Sequence, residues 1–337
     1  MNIAIYGAGS LGTILGAYIT KAGIKIDLIN RNKAHIAALK EKGAHITGTV
    51  DFTIKVNALL PEEMKDKYDI IFLMTKQLDN KKVVEGLVPF LATDGVICTT
   101  QNGLPELSIA DIIGVERTFG CVIGWGATMK EGGECELTSE PDAITFGLGS
   151  IDGHKGEKYE QIVKLLQYMG TVETEDNFIG SRWSKLLINS AFSGMSAVLG
   201  CTFGDVCADK RSRLCAQRII KECIEVTKAG NITIEPVQGK DIVKLLNYKN
   251  KFKEKISFII IPLAMKKHKL LKASMLQDLE KGKKCEIDAI NGVVSEYGKK
   301  VSVPTPYNDK VVEIIKGIEN GKYSYTFDNI KLFDSLK

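Results

Sequence analysis

Histidine is scarce in this chain: only His35, His45, His154 and His268 occur in 337 residues. None lies in the polar motifs described below, so the commonest general acid is nearly absent and a proton donor must come from another residue type. Cysteine occurs eight times but never as a CxxC pair. That argues against a zinc site, and a chain of this length needs no disulfide staples; reduced thiols in a cytoplasmic protein are expected, with no metal. Charge of either sign is not in excess, Lys+Arg 45 against Asp+Glu 41, and no basic block marks a nucleic-acid surface. Long hydrophobic runs are missing as well. The most apolar one, "SFIIIPLAM" at 257–265, is too short to span a bilayer and contains Pro262. No charged segment followed by an apolar stretch precedes "MNIAIYG", so neither a signal peptide nor a membrane partner is expected.

The first half of the chain alternates strand and helix patterns. "NIAIYG", "IKIDLIN", "YDIIFLMTK" and "GVICTTQNG" read as strands, with helical spacing of apolar residues between them. Near-continuous apolar strands in a βαβ rhythm predict a parallel sheet covered on both faces. Residues 119–147 suggest added strands. After about Asp176 the period changes, and 181–199, 211–229, 240–248, 286–299 and 309–319 read as helices. The expected fold is an α/β Rossmann-type N-terminal domain, residues 1–176, plus an all-α C-terminal domain, residues 177–337.

"GAGSLG" supplies Gly7, Ala8, Gly9, Ser10, Leu11 and Gly12 as G-x-G-x-x-G between a strand and a helix. In that context the glycines allow a tight turn, close approach to a pyrophosphate and close helix–strand packing. The second strand ends at Asn30 and Arg31; Asp27 lies too early in it to hold a ribose 2′-OH. A guanidinium there suits a 2′-phosphate, so NADP(H) is the expected cofactor, a solvated surface arginine being the alternative. Lys76 in "MTKQ" and Asn102 in "TTQNG" stand at two further strand ends, the edge where open α/β sheets bind ligands.

In "SRWSKLLINSAF", Lys185 and Asn189 share one face of an otherwise apolar helix. Such a lysine either snorkels to water or sits protected, where a lowered pKa would make it a better proton donor. "SMLQDLEKGKKCEIDAINGVV" holds a second polar set with Ser274, Glu286 and Asp288. The two acids could equally complement a helix dipole.

With these motifs the chain resembles the ketopantoate reductase (2-dehydropantoate 2-reductase) family, nearly end to end and in the same order. The resemblance implies a Rossmann domain and a helical domain with the active site in the cleft between them. It implies NADPH-dependent reduction of a small 2-oxo acid, ketopantoate, to pantoate on the route to pantothenate and coenzyme A. By it, Lys185 is the proton donor, and Glu286 assists catalysis and contacts the cofactor. Lys76, Asn102 and a segment near Thr128 also touch the cofactor, and Asn102, Asn189 and Ser274 bind substrate. Two positions depart from the family pattern: Ser193 and Phe203 stand where asparagines are usual, which removes hydrogen-bonding groups and adds an aromatic wall beside a hydroxylated substrate. A paralogue acting on another 2-oxo acid, and an NADPH-binding regulator without turnover, are therefore the alternatives. The segment 235–271 is expected to be a peripheral helix, with a lid or a homodimer contact as alternatives. Lys266, Lys267, His268, Lys269 and Lys272 are expected to form a solvated helix face, with steering of an anionic substrate toward the cleft as the alternative.

Overall fold

The computed structural model describes residues 1–237 and 239–336, which form two compact units, Met1–Phe178 and Ile179–Lys337. In the first unit, twelve strands run in chain order: β1 (Ile3–Tyr6), β2 (Asp27–Ile29), β3 (Ala44–Gly48), β4 (Phe52–Ile54), β5 (Asn57–Leu59), β6 (Tyr68–Leu73), β7 (Leu91–Thr99), β8 (Thr118–Ile123), β9 (Ala127–Met129), β10 (Glu134–Leu137), β11 (Thr145–Ser150) and β12 (Thr171–Thr174). Eight make one sheet in the order β12-β11-β8-β7-β6-β1-β2-β5. From β5 to β8 every pairing is parallel; β11 joins β8 antiparallel. The chain leaves β1 toward β2 on one side and returns to β6 on the other, so β1 and β6 flank the point where strand order reverses.

Side-chain alternation divides each apolar run between two cores. Ile3, Ile5, Ile70 and Phe72 face a cluster with Ile14 and Leu15 of α1 (Ser10–Lys21), Ile36 and Leu39 of α2 (Lys33–Lys42), and α5 (Glu157–Gln167). Ala4, Ile71 and Leu73 face the other way, against α3 (Asn80–Leu87) and α4 (Pro105–Ile113). This is the doubly covered, Rossmann-type sheet expected from the sequence.

A second sheet, ordered β4-β3-β10-β9, packs on α1. Its strands have three to five residues; β9 and β10 fall in the stretch 119–147 expected to add strands, whereas β3, β4 and, in the main sheet, β5 were not legible between Gly43 and Tyr68.

The second unit is helical: α6 (Phe178–Ile188), α7 (Gly194–Leu199), α8 (Phe203–Ala208), α9 (Lys210–Ala229), α10 (Ile242–Leu246), α11 (Lys251–Ala264), α12 (Ser274–Glu280), α13 (Val293–Lys300) and α14 (Pro306–Glu319). Two single π-helical turns interrupt the pattern, Asn189–Ser193 between α6 and α7 and Asp288–Gly292 before α13. No described helix is long and apolar enough to cross a membrane. None of the eight cysteines forms a disulfide. Burial pushes the thiols of Cys135 and Cys207 up to about 11 and those of Cys201 and Cys223 up to about 12, the opposite of an activated nucleophile.

Candidate active site

The glycine loop follows β1 directly. Gly7 has φ +103°, and a Cβ there would stand 2.5 Å from the Thr75 backbone nitrogen. A Cβ on Gly12 would stand 2.9 Å from the Gly7 carbonyl and from Ile5 Cγ2, so this glycine sets the close approach of α1 to β1. Nothing crowds Gly9 closer than 3.9 Å. The amides of Gly7 and Ala8 are spent on the Ile29 carbonyl and that of Gly9 on Gly7. The first-turn amides of Ser10, Leu11 and Gly12 are therefore the donors available at the α1 N-terminus, which has no side-chain cap and no acidic residue in its first turn.

Neighbouring strand ends complete this edge. Asn30 donates to the Ala8 carbonyl at 2.8 Å and accepts from the Asn32 amide, so it fastens the loop to the end of β2. Asp27 is buried, its oxygens taken by Tyr68 Oη at 2.7 Å and Asn57 Nδ2 at 2.6 Å. Burial, and then the hydrogen bond to Asp27 and its charge, push the Tyr68 phenol well up. Arg31 is exposed just beyond, near enough to Tyr6 for its charge to offset part of the rise that burial causes in that phenol. Lys76 is exposed after β6, and Asn102 is half-buried after β7. Their loops are tied together: Gln77 donates to the Asn102 carbonyl at 2.6 Å, and Gln101 to Thr75 and Asn80. Thr128 is exposed on β9, an edge strand of the small sheet.

In the second unit, half-buried Lys185 lies one turn before the end of α6, and the wide turn Asn189–Ser193 begins at its i+4 neighbour. Single π turns shift the register of the helix and free a carbonyl from its usual partner, a feature common at functional sites. Here the carbonyl of Ser190 is taken by Asn291 Nδ2 at 3.0 Å, reaching across from the second wide turn. Gly194 permits that approach, since a Cβ there would stand 2.7 Å from Asn291 Oδ1. Glu286 is buried immediately before the second turn, and Ser274 is exposed at the start of α12. α12 packs on the first wide turn, and the two wide turns pack on each other, so the elements bearing Lys185, Asn189, Ser193, Ser274 and Glu286 are neighbours. Phe203, expected as an aromatic wall, is 8% exposed, and its ring packs on that of Phe192 with centroids 6.0 Å apart.

A buried chain of polar residues supports the paired turns, and sequence reading missed it. Asn291 Nδ2 also donates to Asn308 Oδ1 at 2.9 Å, and Asn308 Nδ2 donates to Glu222 Oε2 at 2.7 Å. Glu222 further accepts the amides of Tyr307 and Asn308, capping α14, whose own N-cap Thr305 makes no side-chain bond to the first-turn amides and donates instead to Asp309. Burial raises the Glu222 carboxyl to about 7 against the lowering effect of these donors. Asn291 lies within the "EIDAING" motif, but its partners are 101 and 17 residues away, beyond any local pattern.

A glycine loop at the switch point of a doubly covered parallel sheet, followed by a helical unit with a polar cluster, defines a two-domain oxidoreductase of Rossmann type. The model of the family "Ketopantoate reductase PanE/ApbA" matches residues 3–150, and that of its C-terminal region matches residues 177–319. The chain belongs to the ketopantoate reductase family. It is 26% identical over 322 residues to the 2-dehydropantoate 2-reductase of Archaeoglobus fulgidus, covering 95% of this chain and 98% of that protein. It is 28% identical over 324 residues to the Pyrococcus abyssi enzyme of the same name, with the same coverage. Among solved structures it resembles D-mandelate dehydrogenase with NADH and anilino(oxo)acetate, TM-score 0.80 at 22% identity over 96% of this chain and 99% of that one. It also resembles the 2-dehydropantoate 2-reductase of Geobacter metallireducens, TM-score 0.75 at 24% identity over 94% and 99%.

Proposed function

We propose that this chain catalyses NADPH-dependent reduction of 2-dehydropantoate (ketopantoate) to (R)-pantoate, a step toward pantothenate and coenzyme A. The observation that carries this reading is full-length similarity to relatives named for that reaction. The residues present suit the cofactor. Gly9, with nothing closer than 3.9 Å to where a Cβ would stand, leaves room for close approach, the α1 N-terminus offers unspent amides to a pyrophosphate, and Asp27 is engaged in the core rather than at the ribose. Arg31 would hold the 2′-phosphate, and Lys76, Asn102, Thr128 and Glu286 would make further contacts. Bound NADPH would supply the hydride.

Lys185 donates the proton to the carbonyl oxygen, where negative charge grows during the reaction, and the ammonium stabilises that charge before transfer. Asn102, Asn189, Ser193 and Ser274 orient the substrate, and Glu286 assists beside Lys185. The wide turn makes Asn189 and Ser193 part of one rigid element with the lysine. Purified protein mixed with NADPH and a panel of 2-oxo acids tests this reading. Rapid loss of nicotinamide absorbance with ketopantoate supports it; oxidation with none of the acids overturns it.

Ser193 favours a second reading, a paralogue for a different 2-oxo acid. A hydroxyl replaces the longer carboxamide at the end of the wide turn, leaving fewer donors for a hydroxylated substrate. Faster turnover of another panel member than of ketopantoate would select it.

A further inference from the structure

The outward face of α11 is apolar. Phe252, Ile256, Ile259 and Leu263 are 72%, 39%, 70% and 72% exposed. The opposite face is already committed: Ser257, Ile261 and Met265 are buried, and Ser257 Oγ donates to the Leu246 carbonyl at 2.9 Å. Glu254 pairs with Arg218 at 2.8 Å, and the Arg213 guanidinium lies over the Phe258 ring. The helix therefore cannot roll to hide its exposed ridge. Large side chains are usually not left in line on a solvent face unless something covers them.

The spacing of the ridge identifies what covers it. Intervals of four, three and four residues are those of a helix–helix seam. They are also palindromic. A two-fold axis through the midpoint sets Phe252 against Leu263 of a second copy and Ile256 against its Ile259, so one patch is complementary to itself. Charge gives the direction. Lys251, Lys253 and Lys255 occupy the N-terminal half of the helix, and residues 256–264 carry no charge. Antiparallel pairing lays the charged half of one helix on the uncharged half of the other, whereas parallel pairing would stack lysines on lysines.

We infer that α11 is the dimer contact of this protein, pairing antiparallel with α11 of a second copy. The ridge is about 16 Å long. The four ridge side chains form a patch of roughly a few hundred Å², short of the about 800 Å² per partner of a standard interface. The dimer is thus a concentration-dependent one, with Kd on the order of micromolar. Each copy brings Lys251, Lys253 and Lys255 to the seam, so added salt, which screens like charges, strengthens it.

Sedimentation of the full chain across concentration and salt tests the contact. The expected result is a shift from 37.0 kDa to twice that mass as concentration rises, at lower concentration in high salt. Ile259→Glu, at a position already exposed, raises Kd at least tenfold with unchanged circular dichroism. Ile256→Lys alone does the same. The double variant Ile256→Lys/Ile259→Glu recovers association, because the antiparallel register pairs each new lysine with a glutamate. A monomer at all concentrations overturns the inference, as does a dimer indifferent to Ile259→Glu. A double variant without recovery overturns the antiparallel register. Binding of the monomer to anionic vesicles, weakened by salt, would assign the ridge to a lipid surface instead.

Discussion

In the loop at residues 7–12 the fixed groups are backbone; in the paired wide turns of the second unit they are side chains held by other side chains. The first arrangement needs glycine at Gly7 because only glycine fits φ +103° against the Thr75 amide. The second needs a buried relay, from Glu222 through Asn308 and Asn291 to the Ser190 carbonyl. A backbone site can be written in six consecutive letters. A side-chain site draws on residues a hundred positions apart, and its failure is graded rather than absolute.

The largest effect that separates the two regions is expected from Gly7→Ala. A methyl group there meets backbone that cannot yield, costing roughly 3–5 kcal/mol and abolishing NADPH binding; thermal melting and a fluorescence titration check both. Next comes pH. Folding raises the Glu222 carboxyl from 4.5 to about 7. The native state therefore favours its protonated form: the contribution is complete below about pH 4.5 and is lost as pH rises through 7, a swing of about 3 kcal/mol. Urea midpoints across that window should fall for the native sequence and flatten for Glu222→Gln.

Lys185→Ala should lower turnover roughly a hundredfold, about 2.7 kcal/mol, while NADPH binding stays intact; unchanged turnover would remove the lysine from the proposed chemistry. Asn291→Ala strands the Ser190 carbonyl and should cost about 2 kcal/mol in urea. It should lower kcat more than it weakens cofactor binding, if the relay holds the second region alone. Smallest is Arg31→Ala, about 1.4 kcal/mol or tenfold in NADPH affinity, with NADH affinity unchanged. Paired titrations with the two nucleotides measure that difference.

Legibility followed the same division. β1, β6 and β7 announced themselves because strands buried on both faces are apolar without interruption. Their polar ends were visible for the same reason, as a sudden Lys76 or Asn102 after such a run. β3, β4 and β5 were not visible: three to five residues of mixed polarity carry too little period, and their pairing with β10 and β2 is fixed by contacts far along the chain. The wide turns were read as plain helix, since one displaced hydrogen bond leaves no mark on the spacing of apolar residues. "SFIIIPLAM" was read as too short for a bilayer and as part of a peripheral segment, without sign of how its residues divide between a committed inner face and the exposed ridge of α11.

By itself, the sequence determined the alternation of strand and helix, the glycine loop and the place of Lys185 on a mostly apolar helix. These are local matters, set by side-chain period and by the one residue type that tolerates positive φ. The tertiary structure decided which amides of the loop remain unspent, why Asp27 is not at the edge, and how Asn291 and Glu222 fasten the turn beside Lys185. Those depend on which groups meet after burial, where an unpaired polar atom is costly and only distant residues can pair with it.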